Sequence, residues 1–380
     1  MLLKNAGGQL PLNAAALHSI AVIGWHADTG VLSGGGSAQV WPTGGAIIEG
    51  KPATPGWSNV VWDPSPPLTA IQTMAPGALV NFADGTNASA AASLAGAADV
   101  AIVFISQWTS EGMDMPSLNF TDLIHTGNPV NPIDQDALVA AVAAANPHTI
   151  VVMENGGAQV MPWLGNVSAV LEAWFPGLRG GQAIANILFG AVDPSGKLPI
   201  TFPASVDDLP HPVIAGAGSA AIFPVDYTEG FLVGYKWYDA NNITPLFPFG
   251  FGLSYTTFSL TNAGIVNNLA ASNLNPNFQV SVSVTNTGSV AGADVAQVYL
   301  GLPDSTGEPP KRLVGWQKVT LQPGATQQLT VEVDKNDSSH PMSYWDVTSG
   351  SWLTAPGDYP VYVGDSSANL TLAGTIQVGS

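Results

Sequence analysis

The stretch of this sequence best suited to proton transfer is Ser110-Glu111-Gly112-Met113-Asp114. It follows Ala98-Asp99-Val100-Ala101-Ile102-Val103-Phe104-Ile105, a continuous apolar run that reads as a buried strand of a mostly parallel sheet. In open α/β sheets, ligand chemistry collects in the crevice beyond the carboxyl ends of the strands. Glu111 therefore stands where acid/base work is done, and the glycine after it lets the backbone turn sharply and present the carboxylate. An exposed loop carboxylate without chemistry would carry the same local signal. Asp114 would orient the loop by accepting backbone N–H bonds, or serve as a plain turn residue. Trp108 would stack on the flat face of a sugar ring or fill the core. Chemistry at a glycosidic bond needs two carboxylates, and Glu111 is the one convincing candidate.

Other loops point to the same edge. Asn155-Gly156-Gly157 ends the strand from Thr149, and Phe175-Pro176-Gly177-Leu178-Arg179-Gly180-Gly181 ends the next one; both share Glu111's edge if the sheet is parallel. Arg179 is one of few cations and would meet a carboxylate there, either in a structural salt bridge or in a site. Ser33-Gly34-Gly35-Gly36-Ser37 has neither the Lys-Ser/Thr ending of a P-loop nor the spacing of a dinucleotide fingerprint, so it reads as a loop that approaches another domain closely. No Gly-x-Ser-x-Gly elbow occurs, which weakens a serine hydrolase reading. The six histidines show no metal-ligand spacing, and no metal or cofactor is expected.

The elements that position these residues alternate from about 15 to 205. Strands read at 19–24, 80–82, 100–105, 149–153 and 169–174, and helices at 68–74, 88–98, 136–145 and 180–189. That alternation predicts a layered α/β sandwich domain with a mostly parallel sheet over 15–205, after a short linker remnant at 1–14. Over 206–257 periodicity gives way to Pro, Gly and aromatics, as in Phe247-Pro248-Phe249-Gly250-Phe251-Gly252, which suits a segment that wraps along a surface and packs its rings down. From 258 to 380 short runs alternate with period 2, led by Phe278-Gln279-Val280-Ser281-Val282-Ser283-Val284, and turn signals separate them. Such a pattern predicts an all-β sandwich.

Composition narrows the partners. A chain of 380 residues supports two or three domains with their own cores. Hydrophobic residues make up 46% and charged ones 9%, with a net charge of −18 and nine Lys plus Arg, so nucleic acid and anionic membranes would be repelled. Cysteine is absent, which removes disulfides and thiol catalysis. No run reaches the length of a membrane span, and the first twelve residues do not read as a signal peptide. With so few cations there are few ion pairs for acid to break, so the fold is expected to survive near its pI of about 4.3.

Several segments, taken in order, carry a family resemblance. They are Leu2-Leu3-Lys4-Asn5 with Leu10-Pro11-Leu12; Ala21-Val22-Ile23-Gly24; Val31-Leu32-Ser33-Gly34-Gly35-Gly36-Ser37-Ala38; Ser110-Glu111-Gly112-Met113-Asp114; Trp174-Phe175-Pro176-Gly177 with Gly180-Gly181; and Pro194-Ser195-Gly196-Lys197-Leu198-Pro199. Gly234-Tyr235-Lys236-Trp237-Tyr238-Asp239, Phe247 through Tyr255, Val284-Thr285-Asn286-Thr287-Gly288 and Lys311-Arg312-Leu313-Val314-Gly315-Trp316 continue the series. The chain resembles the C-terminal half of glycoside hydrolase family 3, especially its bacterial-type β-glucosidases. The resemblance covers all 380 residues but about half of a full-length member.

The resemblance implies an α/β sandwich followed by a fibronectin type III-like domain, with Glu111 matching the acid/base glutamate of a retaining mechanism. Trp108, Asp114 and Arg179 are weaker substrate-binding candidates. In the family, an N-terminal barrel supplies the aspartate nucleophile and a Lys-His pair that holds the sugar. Trp62-Asp63-Pro64 is the nearest echo here, in the wrong order and place, and Met115 stands where an arginine often follows the motif's aspartate. The expectation is a chain with no nucleophile of its own, inactive or nearly so alone. It would act on a terminal β-glucoside or oligosaccharide with a barrel-bearing chain, or self-associate. The parent enzyme would be secreted or periplasmic. The rival expectation is a non-catalytic module that binds carbohydrate or protein.

Overall fold

Four strands rich in Val, Ile and Ala, with no charge except at their ends, must be covered on both faces. A computed structural model describes residues 1–24, 26–37, 39, 65–107, 109–111, 117–120, 134–213, 224–268 and 277–379. Two compact units emerge, Met1–Pro194 and Ser195–Ser380.

In the first unit the strands are β1 (Leu2–Asn5), β2 (Ser19–Ile23), β3 (Leu79–Ala83), β4 (Val100–Gln107), β5 (Thr149–Asn155) and β6 (Ala169–Glu172). They form one sheet in the order β1-β6-β5-β4-β2-β3. All neighbours run parallel except β1, which adds antiparallel to the β6 edge. The helices are α1 (Pro67–Met74), α2 (Ala88–Gly96), α3 (Gln135–Ala145) and α4 (Gly180–Leu188), with α1 packed on α4 and α2 on α3. Every residue of β4, β5 and β6 is buried.

This strand order reverses between β2 and β4. The chain leaves β2 for β3 on one side, then crosses back to lay β4 on the other. Loops from the carboxyl ends of two such strands diverge and open a crevice at that switch point. Polar groups are matched locally around it. Gln135, at the start of α3, makes a two-way amide pair with Ser106 (2.8 Å each way), continuing the hydrogen bonding of β4 beyond its last neighbour. Buried Asn146 donates to the carbonyls of Ala95 (2.8 Å) and Ala98 (2.9 Å), where α2 ends.

The second unit opens with segment 195–257, which includes α5 (Tyr235–Asn241). Its aromatics pack together: Phe247 meets Phe202 edge-on and stacks with Phe251, and Tyr235 stacks on Phe249 and meets Tyr299 edge-on. Lys197 pairs with Asp294 at 2.8 Å. The strands β7 (Phe258–Asn268), β8 (Phe278–Asn286), β9 (Gly292–Leu300), β10 (Arg312–Leu321) and β11 (Thr326–Val333) come next. They are followed by β12 (Tyr344–Asp346), β13 (Ser351–Leu353), β14 (Gly357–Gly364) and β15 (Leu370–Val378). Two antiparallel sheets, β10-β9-β14-β15 and β11-β8-β7, enclose a core of alternating residues such as Val280, Val282, Val298, Val331, Tyr359, Val361 and Ile376, and β12-β13 forms a separate hairpin.

Candidate active site

The loops after β2 and β4 meet at the switch point. The Gly35 amide donates to the Thr109 carbonyl at 2.9 Å, and Gly35 and Ser110 form an isolated parallel bridge. Two residues on from Gly35 and one on from Ser110, the Ser37 amide donates to Glu111 Oε2 at 2.9 Å. Gly36 adopts φ +95°, and a Cβ there would lie 2.5 Å from the Glu111 Cβ and 3.0 Å from its amide nitrogen. Glycine is thus required twice over, by backbone conformation and by the close approach of the glutamate.

Thr109 is wedged beneath this pair. A Cβ on Gly34 would stand 2.8 Å from the Thr109 carbonyl oxygen, and one on Gly156 would stand 2.7 Å from the Thr109 hydroxyl. Both would also be 2.9 Å from the Phe175 ring. Three loops at the carboxyl ends of β2, β5 and β6 therefore close on the residue two before Glu111, and the glycines are what let them. Leu32 ties the first to the third, its carbonyl accepting from the Gly177 amide at 3.0 Å.

Glu111 itself is exposed. The Ser37 hydroxyl and then the Ser37 amide hold its carboxyl below the usual glutamate range, because both favour the charged form. The Ser37 contacts thus favour the form that takes a proton.

A second cluster lies under the same edge, and composition gave no sign of it. His26, Glu154, Asn155, Gln159 and Glu172 are all fully buried. His26 Nε2 lies 3.1 Å from Glu154 Oε2. Glu172 Oε1 accepts from the Trp174 amide at 2.7 Å, and Trp174 is held at φ +54°, a conformation rare for a bulky residue. Burial pushes both glutamates up to about 8, so each is a neutral acid at neutral pH. One signal was available in the sequence: Glu154 and Glu172 end buried apolar strands, where a charge has no solvent.

Arg179 precedes α4 and lines a cleft of about 350 Å³ between α1 and α4, with Ser65, Thr69, Gln182 and Asn186. Among the described residues it pairs with no carboxylate. Trp108, Asp114, Met115 and the Trp62-Asp63-Pro64 stretch lie outside the described residues. No group of three or more His, Cys, Asp or Glu among the described residues could hold a metal ion.

The family model for the glycosyl hydrolase family 3 C-terminal domain matches residues 1–255. The chain belongs to glycosyl hydrolase family 3. A fibronectin type III-like model matches residues 294–367, within the second unit. Beta-glucosidase B of Emericella nidulans is 42% identical over 304 residues, covering 77% of this chain and 34% of that protein. A probable beta-glucosidase L of Aspergillus fumigatus is 35% identical over 416 residues, covering the whole chain and 51% of the relative. Among solved structures, the beta-glucosidase DesR from Streptomyces venezuelae, in complex with D-glucose, superposes with a TM-score of 0.81 at 29% identity, over 99% of this chain and 58% of that one. The Beta-D-glucoside glucohydrolase from Trichoderma reesei gives 0.80 at 32% identity, over 100% and 54%. The chain spans about half the length of these relatives or less. As a family 3 chain it corresponds to the C-terminal part of a beta-glucosidase-like glycoside hydrolase, an α/β sandwich followed by a fibronectin type III-like domain.

Proposed function

We propose that Glu111 is the general acid and then the general base of a retaining hydrolysis of terminal β-glucosides, with the nucleophile supplied by a family 3 barrel domain. The observation that carries this reading is the meeting of Glu111 and Ser37 at the switch-point crevice of the sheet. In the first step Glu111, in its protonated form, gives its proton to the glycosidic oxygen as the bond from that oxygen to the anomeric carbon breaks and the barrel's aspartate bonds to that carbon. In the second, the Glu111 carboxylate takes a proton from the water that releases the sugar. The names of the relatives support a β-glucoside as the substrate class. The cluster of Glu154 and Glu172 is buried and neutral, which suits support of the loops rather than contact with a sugar.

The test is complementation. Mixing the chain with a separately produced family 3 barrel should give turnover of an aryl β-glucoside with retention of configuration. Glu111→Ala should abolish most of it, and added azide should restore turnover with a β-configured glucosyl azide as product. An active mixture in which Glu111→Ala retains full activity would remove Glu111 from the mechanism.

A further inference from the structure

The Ser37 amide points at the glutamate from the loop that follows β2. We infer that Ser37 is a positioning residue for Glu111, clasping the carboxylate from the β2 loop and holding it more firmly than the protonated acid. The inference rests on the acid/base reading of Glu111 for its catalytic consequence, but the clasp itself is a property of this chain alone.

Three observations fix the geometry. The Ser37 amide reaches Glu111 Oε2 at 2.9 Å. The backbone bridge between Gly35 and Ser110, with the Gly35 amide on the Thr109 carbonyl, sets the two loops side by side so that Ser37 and Glu111 face each other. Gly36, at φ +95°, leaves no room for a side chain between them. An amide N–H donates more strongly to a carboxylate than to the carbonyl oxygen of a carboxylic acid, so this bond has its full strength only with ionised Glu111. No other charged group among the described residues contributes to the state of the carboxyl; the Ser37 hydroxyl and amide do, against a small opposing effect of burial.

The consequence differs between the two steps. In the first, the proton leaves the Glu111 carboxyl for the leaving-group oxygen, and the carboxylate produced is the species Ser37 binds. Ser37 therefore makes Glu111 a stronger acid. In the second, the carboxylate takes a proton from water while the Ser37 amide still stabilises its charge, so Ser37 makes it a weaker base. Such a residue favours departure of poor leaving groups over release of the sugar.

The clasp is tested on the 380-residue chain as it stands. It contains seven glutamates, so selective carboxyl ¹³C labelling gives a short set of titrating signals, and Glu111→Gln assigns the one of interest. The Glu111 signal should titrate below the ordinary glutamate range. Ser37→Ala should move its midpoint upward, and Gly36→Ala, which forces the loops apart, should move it at least as far, with the thermal melt of Ser37→Ala unchanged. A midpoint at the ordinary value in the unaltered chain, or one that Gly36→Ala leaves in place, would overturn the clasp whatever Glu111 does, because Ser37→Ala removes the hydroxyl but keeps the amide. In the barrel-complemented enzyme Ser37→Ala should shift the alkaline limb of kcat/KM upward, since that limb reports the acid in the free enzyme. If the NMR midpoint moves and the alkaline limb does not, the clasp stands and the acid role of Glu111 falls.

Discussion

His26 Nε2 and Glu154 Oε2 approach to 3.1 Å with neither side chain exposed, at the carboxyl end of the sheet that also carries Glu111. An ion pair at that depth would cost more to desolvate than its attraction returns unless its remaining atoms were well bonded. Burial instead pushes Glu154 up to about 8, with a further rise from neighbouring Glu172, and leaves a neutral acid beside an imidazole. Asn155 and Gly156 follow directly, and Gly156 is the residue that closes on Thr109 and Phe175. The cluster thus lies next in sequence to the platform under Glu111.

Stability should fall as the pH rises. Glu154 and Glu172 are raised from an ordinary value of 4.5 to about 8, so the folded chain holds protons that the unfolded chain releases between those values. Their contribution is fully present below pH 4.5 and lost as the pH climbs through about 8. Asp99, Glu111, Glu229, Asp337 and Asp346 are lowered by hydrogen bonds to their charged forms, and their contribution is lost on the acid side. A melt series should therefore peak near pH 5 and decline toward pH 9, and Glu154→Gln should flatten the alkaline decline. A melting temperature that rises from pH 5 to 9 would contradict the neutral assignment.

How far the sequence discloses this fold depends on the element. The parallel strands were legible because continuous runs such as Val100–Ile105 have no other soluble use, and β8 was legible because Phe278, Val280, Val282 and Val284 alternate. By contrast, β1 is a four-residue edge strand held by pairing with β6, and β7 breaks its alternation at Asn262, which sits at φ +53° with a register shift beside it. The helix at Tyr235–Asn241 is too short to show a period and starts at Gly234 without a side-chain cap. For the site, Glu111 could be picked from its place after β4. Its link to Ser37 could not, because the contact joins residues 74 apart through a strand order that local patterning does not encode.

The glycines of the site edge should differ sharply in tolerance. A Cβ on Gly24, at φ +129°, would lie well inside contact distance of the Phe104 carbonyl oxygen, against backbone that cannot easily yield. Gly24→Ala should cost more than the roughly 1–3 kcal/mol of a simple overpacking. Gly156→Ala should fall within that range, because the Phe175 ring and Thr109 hydroxyl can shift. Gly77→Ala, with open space around it and no unusual backbone angle, should be close to neutral. Chemical denaturation of the three variants checks the order, and equal effects would refute the contacts.

Asn286 shows what the Val284-Thr285-Asn286-Thr287-Gly288 stretch does in the sandwich. Fully buried, it accepts from the Thr256 hydroxyl (2.7 Å) and the Gly288 amide (3.1 Å) and donates to the carbonyls of Val290 (2.8 Å) and Leu321 (3.0 Å). Asn286→Ala would leave these groups in place without partners, at about 1–3 kcal/mol for each that stays buried and unsatisfied. Asn286→Asp should be little better, since it keeps the acceptor and loses the donor. Hydrogen exchange should show the loss concentrated at β8 and β10, and uniform protection equal to the unaltered chain would count against the network.

Glu111→Gln gives the sharpest division between chemistry and scaffolding. The amide keeps the size of the side chain and an oxygen for the Ser37 N–H, so the loop should hold its place. It cannot give up a proton, and general acid catalysis of this kind is worth about 10²–10⁴-fold. In the barrel-complemented enzyme, an alkyl β-glucoside, whose leaving group must be protonated, should lose turnover by about that factor. A nitrophenyl β-glucoside leaves as a stable anion and should lose far less in the glycosylation step, read as kcat/KM. Equal losses on both substrates would mean that Glu111 orders the crevice and that the proton comes from elsewhere.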